Sequence, residues 1–134
     1  MPKKYPKQVV GNAGLFYVSY ELSKRGWNVL PTSRNTRGID IIIFSQDGKE
    51  KKSIQVKSLS KSNPVPFGNN IKNLYADYLI ICRNVLDSPV LFIAEMGKIR
   101  KVIKVNIKHK RSYWLQPNDY ENFKDKWKTI GNGI

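Results

Sequence analysis

Residues Arg37 to Lys57 read RGIDIIIFSQDGKEKKSIQVK, two Ile- and Val-rich runs on either side of Asp47-Gly48. Asp-Gly tolerates the positive φ angles of a tight two-residue turn, so the stretch reads as an antiparallel β-hairpin. With Gln46 and Lys49 flanking the turn, Asp40 falls opposite Gln55, and Lys57 lies one diagonal step away. Side chains alternate along a strand, which puts Gln55 and Lys57 on one face and Ile54 and Val56 on the other. A carboxylate, an amide and an ammonium group therefore meet at the open end of an apolar hairpin. Asp40 and the Gln55 oxygen are hard ligands suited to Mg²⁺, which keeps several waters and needs few protein ligands. Lys57 could orient or deprotonate an attacking water, or stabilise charge developing on a phosphate. A sheet rim closed by a salt bridge is the plainer alternative, since polar strand ends are common.

At 134 residues the chain is expected to form a single domain, 1–134, large enough to bury a core without disulfide or metal staples. Its 24 Lys and Arg against 10 Asp and Glu give a formal net charge of +14. Such a field draws polyanions, nucleic acid first and anionic membrane second. Nothing approaches the run of about 18 apolar residues that spans a bilayer, so no membrane insertion is expected. The start MPKKYPKQ lacks the apolar centre of a signal peptide, and residues 1–8 read as a basic flexible arm.

The chain has one cysteine, Cys82 in YLIIC, and one histidine, His109 in KHKR. A lone cysteine in an apolar run reads as a buried inert thiol, and a reducing cytoplasm is the expected compartment. One histidine gives zinc sites and Ser/His/Asp triads little to draw on. That leaves, among hydrolase chemistries, mainly those run by carboxylates and Mg²⁺.

Upstream of the hairpin, Leu15, Val18 and Leu22 recur at helical spacing from Val9 to about Arg25, where Gly26 supplies a stop. Glu21 falls near Gly14 and Tyr17 on this helix, at the rim of the core. Trp27 to Leu30 reads as a short strand ended by Pro31. The loop PTSRNTRG then carries Arg34 and Arg37, either as a phosphate grip or as a solvated turn.

Downstream, SLSKSNPVPFGNN reads as a loop that could face substrate as a flap. YADYLIIC and VLFIAE are two further strands, Tyr75–Cys82 and Val90–Glu95. Met96–Val105 is open between short helix and strand. Asn118–Thr129 is expected to be a helix capped by Asn118, with Tyr120, Phe123 and Trp127 as its packing stripe.

In order along the chain, GNAG (Gly11–Gly14), YELSKRGW (Tyr20–Trp27), GID (Gly38–Asp40) and IQVKS (Ile54–Ser58) resemble the PD-(D/E)xK nuclease superfamily. This is the restriction-endonuclease-like fold that also includes Holliday junction resolvase-like proteins, and the resemblance covers about the first half of the chain. It implies an α/β fold with a central mixed sheet of about four to five strands flanked by helices, in αβββαβ-like order. It also implies that Asp40 is the metal-ligating aspartate, that Gln55 stands in the Asp/Glu place and that Lys57 is the motif lysine. The Val56 carbonyl would be a further ligand, and the cofactor Mg²⁺ or Mn²⁺.

Two positions depart from the pattern. Gln55 replaces a carboxylate by a neutral amide, a variation known among such nucleases. Related sequences often carry a first-helix glutamate directly after the second glycine of the GxxG-like segment, and here that residue is Leu15. Glu21 is the acidic residue left on that helix to act as catalytic and metal-binding carboxylate.

The function implied is metal-dependent hydrolysis of nucleic-acid phosphodiester bonds, with DNA the expected substrate and Arg34, Arg37 and Lys61 clamping the backbone. A homodimer would suit an enzyme that must cut two strands. The alternative is a catalytically inactive nuclease-fold module that binds nucleic acid, which the positive charge serves equally well.

Overall fold

The computed structural model describes residues 4–33, 38–108 and 110–134. Helix α1 spans Lys7–Lys24, starting directly after Pro6, so Lys7 and Gln8 belong to the helix and not to an arm. Val10, Gly14, Val18 and Leu22 recur every four residues and form its buried stripe. Gly26, at φ +88°, turns the chain out of the helix.

Strands β1 (Asn28–Pro31), β2 (Ile41–Phe44) and β3 (Lys51–Ser58) follow as an antiparallel meander. Ile41 pairs with Ile54 and Phe44 with Lys51, which is the register expected from the Asp-Gly turn. Gly48 takes φ +72°, and Asp47 Oδ1 accepts from both the Ser45 hydroxyl and the Lys49 N–H, fixing the turn.

The chain then crosses over and returns as β5 (Tyr78–Arg83), parallel to β3, followed by antiparallel β6 (Val90–Glu95). The resulting mixed sheet has the order β1-β2-β3-β5-β6. The crossover contains no α-helix. It holds the short strand β4 (Val65–Gly68) and one 3₁₀ turn, Ile71–Asn73. The sequence expectation of a structureless flap is corrected here: Val65 and Phe67 are buried, alternating with outward Pro66 and Gly68. Proline is tolerated because β4 is an edge strand.

Met96–Val105 resolves into helix α2 (Met96–Val102) and strand β7 (Lys104–Asn106). β7 pairs with β8 (Ser112–Leu115), and β8 with β4, in a second sheet of order β4-β8-β7. The expected helix over 118–129 is also corrected. Gln116 and Asp119 form a capping box around Pro117, and α3 ends at Tyr120. Lys124 instead bridges to Phe92, and the Asp125 N–H donates to the Leu91 carbonyl with Asp125 at φ +53°. Satisfying the edge of β6 wins over continuing the helix.

Two apolar layers sandwich the main sheet. One lies under α1 and holds Val18, Leu22, Ile41, Ile43, Ile54 and Ile80. The other lies on the opposite face and joins Leu79, Ile81 and Phe92 to Phe67, Leu115 and Tyr120 of the smaller elements. Cys82 is buried in the first layer, and that burial pushes its thiol up to about 12, as an inert core residue requires. No helix among the described residues is long and apolar enough to cross a membrane.

Candidate active site

Alternation along β3 sends Ile54 and Val56 into the layer under α1 and turns Gln55 and Lys57 to the other face. Asp40 enters this face from the start of β2, and its backbone is held on both sides. Its N–H donates to the Ile54 carbonyl at 2.9 Å, and its carbonyl accepts from the Thr32 N–H at 2.9 Å. The Thr32 hydroxyl also donates to the Ile39 carbonyl at 2.6 Å. The Asp40 carboxylate then takes over from the strand ladder, since its Oδ2 accepts the Val56 N–H at 2.7 Å. With Ile54 and Val56 both bound to Asp40, the residue between them, Gln55, lies level with the carboxylate. The structure thus brings Asp40, Gln55 and Lys57 together, and does so through backbone bonds.

The electrostatics of this corner are unusual for a sheet rim. Burial raises the Asp40 pKa, against the lowering effects of the Val56 N–H and the Lys57 charge. Burial lowers the Lys57 pKa, against the raising effect of Asp40. Each group is held partly out of water, so each is easier to neutralise than its exposed counterpart. The Lys57 ammonium rests 5.2 Å from the centre of the Phe67 ring, against the wall supplied by β4. The Gln55 Oε1 is buried and has no hydrogen-bond partner among the described residues. An unpaired buried acceptor is costly, by about 1–3 kcal/mol, a cost that a donor or a cation would relieve.

Leu30 and Ile42, paired across β1 and β2 on the same face as Asp40, are both exposed. The second apolar layer stops short of these strands, which leaves the Asp40 side of the corner open. Beyond Ser58, at the C-terminal end of β3, a groove of about 880 Å³ runs between the start of α1 and the 58–66 segment. Lys4, Lys7 and Lys61 line it, so Lys61 lies in a basic groove past the end of β3, and Asp40, Gln55 and Lys57 are not among its lining residues.

Glu21 is not brought to this group. It accepts from Arg25 at 3.1 Å, pairs with Lys24 at 3.4 Å and meets the Tyr17 hydroxyl at 3.4 Å. Burial raises its pKa, but hydrogen bonds from Arg25 and Lys24 outweigh that and hold it below the usual range. Helix α1 covers the face of the sheet opposite Gln55 and Lys57, and Glu21 lies one turn from its C-terminal end. The part of α1 that touches the end of β3 is Gly14, packed on Ser58. Arg34, Arg37 and His109 lie outside the described residues.

The supports of the site were less visible in the sequence than its polar groups. A glycine in mid-helix signals a close approach, and Gly14 makes one. The alternation of Val65 and Phe67 in PVPFG was the available sign of the β4 wall.

The donor set fits a hard divalent cation: one carboxylate and one amide oxygen without a hydrogen-bond partner among the described residues. Among the described residues no three His, Cys, Asp or Glu side chains gather as a metal cluster, so Asp40 would supply the charge. Replacing Gln55 by Glu tests the fit. Gln55→Glu is expected to lower the stability of the metal-free protein, because two carboxylates then share one partly buried corner. It should tighten Mg²⁺ binding by about tenfold through the added charge. Thermal melting against Mg²⁺ concentration measures both, and a variant whose Mg²⁺ response matches wild type would exclude Gln55 from the ligand set.

No family model matches the chain, and no curated protein matches it. Solved structures do. A bacterial homing endonuclease, I-Ssp6803I, superposes with a TM-score of 0.64 at 13% identity, over 94% of this chain and 93% of that one. Hjc, a Holliday junction resolvase from Archaeoglobus fulgidus, gives 0.60 at 14%, over 87% of this chain and 99% of that one. The mixed five-stranded sheet with its flanking helices is accordingly the restriction-endonuclease-like fold that these two structures share.

Proposed function

We propose that this chain is a metal-dependent nuclease that hydrolyses phosphodiester bonds, with DNA as substrate and Asp40, Gln55 and Lys57 at the reacting centre. The observation that carries the reading is the buried Gln55 oxygen, without a hydrogen-bond partner among the described residues, level with a carboxylate whose geometry the Val56 N–H fixes. Fold likeness to nucleases adds to it, although fold alone does not assign chemistry. Asp40, Gln55 Oε1 and the Val56 carbonyl would hold Mg²⁺ or Mn²⁺. The cation, when bound, would polarise the scissile phosphate and acidify a water.

Lys57 holds its amine where burial has brought it nearer to neutrality. It can accept a proton from water, or stay charged against phosphate oxygens once an anion enters. Phe67 limits its motion and keeps solvent from one side. Lys61, in the groove past Ser58, would contact the backbone as it leaves the corner, and Arg34 and Arg37 would do so from the loop before Asp40. A helix carboxylate has no part in this scheme, because Glu21 is committed to Lys24 and Arg25.

That commitment favours a second reading, a nucleic-acid-binding module whose metal site is too poor in charge to act. An activity screen separates the two. Duplex, branched and single-stranded DNA, and RNA, are incubated with the protein in Mg²⁺, Mn²⁺ or EDTA, beside Asp40→Ala. Metal-dependent cleavage that disappears in the variant supports the nuclease. Salt-sensitive binding with no cleavage of any substrate supports the module.

A further inference from the structure

Between Glu95 and Asp119 the chain has seven Lys and Arg and no acidic residue, so residues 96–118 carry +7 of the formal +14. Two of the seven are committed: Arg100 donates to the Leu74 carbonyl and Lys104 pairs with Asp119. Lys98, Lys101, Lys108, Lys110 and Arg111 are exposed, and none shows a partner among the described residues. They lie on the outer side of α2 and at the tip of the β7–β8 hairpin.

The hairpin itself is bare. All three residues of β7 are exposed, on both of its faces, and Ile107 at the tip is 72% exposed. β8 is anchored by β4 from Tyr113 to Leu115, with Leu115 buried and Tyr113 packed on the second apolar layer. The result is a ribbon whose inner strand is held by β4 from Tyr113 to Leu115 and whose end, at the Asn106–Ser112 pair, extends past β4 with uncompensated positive charge.

We propose that this ribbon, with the outer face of α2, is a second docking surface, for duplex DNA, separate from the Asp40 corner. At the Asn106–Ser112 pair, where β4 no longer flanks it, the ribbon is two strands about 5 Å apart and can enter a B-form major groove of about 12 Å. Lys108, Lys110 and Arg111 then reach phosphates on its walls, and Ile107 supplies an apolar contact to base edges. An amphipathic membrane anchor would instead need a broad apolar face beside the charges. The apolar face of α2, Met96 and Ile99, is spent on the core.

The test is the triple variant K108A/K110A/R111A, with K108Q/K110Q/R111Q as a second form of the same loss. Fluorescence anisotropy follows binding to a labelled 20-base-pair duplex and to one of its single strands, in EDTA, across a KCl series. Each lost phosphate contact should lower the slope of log Kd against log salt by about 0.9, so the slope falls by roughly 2 to 3. Kd for duplex should rise at least tenfold at low salt, with a smaller change for the single strand. Circular dichroism and Tm should stay at wild-type values, since the altered side chains are exposed and show no partner among the described residues. An unchanged slope overturns the proposal. So does an equal loss on the single strand, or a loss confined to phosphatidylserine vesicles. Binding is read without metal, so a wild type that cleaves nothing would count against the nuclease reading and leave this result standing.

Discussion

Asp40→Asn is expected to abolish metal-dependent cleavage and, in the same protein, to raise the Tm of the metal-free form. The loss follows from the donor set: without the carboxylate the site keeps only neutral oxygens, and activity should fall by about a thousandfold or more. The gain follows from the sign of the pKa shift. Burial makes the folded state hold the Asp40 proton more firmly than the unfolded state does. Folding stability is therefore highest at low pH and falls as pH rises from the ordinary carboxylate value of 3.8 through the raised folded value. At neutral pH the whole cost of the buried charge is present. Asparagine removes that charge, and its carbonyl can still accept the Val56 N–H. A gain of about 1 kcal/mol would raise Tm by roughly 3–6 °C in a chain of this size. Added Mg²⁺ should stabilise wild type and leave the variant unmoved. Melting curves in EDTA and in Mg²⁺, set beside a cleavage assay, check all three; a variant that melts lower in EDTA would mean the carboxylate supports the fold.

Gly14→Ala is expected to cost more stability than any exposed substitution in α1. A Cβ at this position would stand 1.8 Å from Ser58 Oγ and 2.7 Å from Ser58 Cβ. Both atoms belong to a strand end, so rotating the hydroxyl relieves only the first clash, and helix and strand must separate. Overpacking of this kind costs about 1–3 kcal/mol, from which alanine's better helix propensity recovers up to about 1. Ser58 follows Lys57, so the displacement should also lower cleavage at saturating substrate. Adding Ser58→Gly to Gly14→Ala removes the obstructing Cβ and should restore most of the Tm. Gly14→Ala melting at the wild-type temperature would show that the helix does not press on the strand.

The polar corner could be read from sequence because its geometry is local. Asp47-Gly48 sets the register, Ile and Val mark the buried face, and alternation fixes which side chains share a face with Asp40. The same locality explains the first helix and the β5 and β6 strands. What escaped was decided by partners far along the chain. Val65 and Phe67 form a strand only because Leu115 and Tyr113 arrive beside them. Tyr120, Phe123 and Trp127 do pack, with Tyr120 edge-on to Phe92 at 4.8 Å and Trp127 under the Arg25 guanidinium at 3.7 Å. They do so from a chain that bends at Asp125 to satisfy β6. Glu21 was placed by its position on the wheel, although Lys24 and Arg25, three and four residues on, were the local sign that they would hold it.

The strands that border the two sheets bear on whether copies of this chain can stack edge to edge. β1 is four residues long and ends at Pro31, which has no N–H to offer a neighbour. β4 carries Pro66, β6 is covered by the backbone at Lys124 and Asp125, and β7 displays lysine on an exposed strand. Each border thus has a feature that discourages strand addition by another molecule. Self-association through stacked edges is disfavoured even while the apolar pair Leu30 and Ile42 stays uncovered.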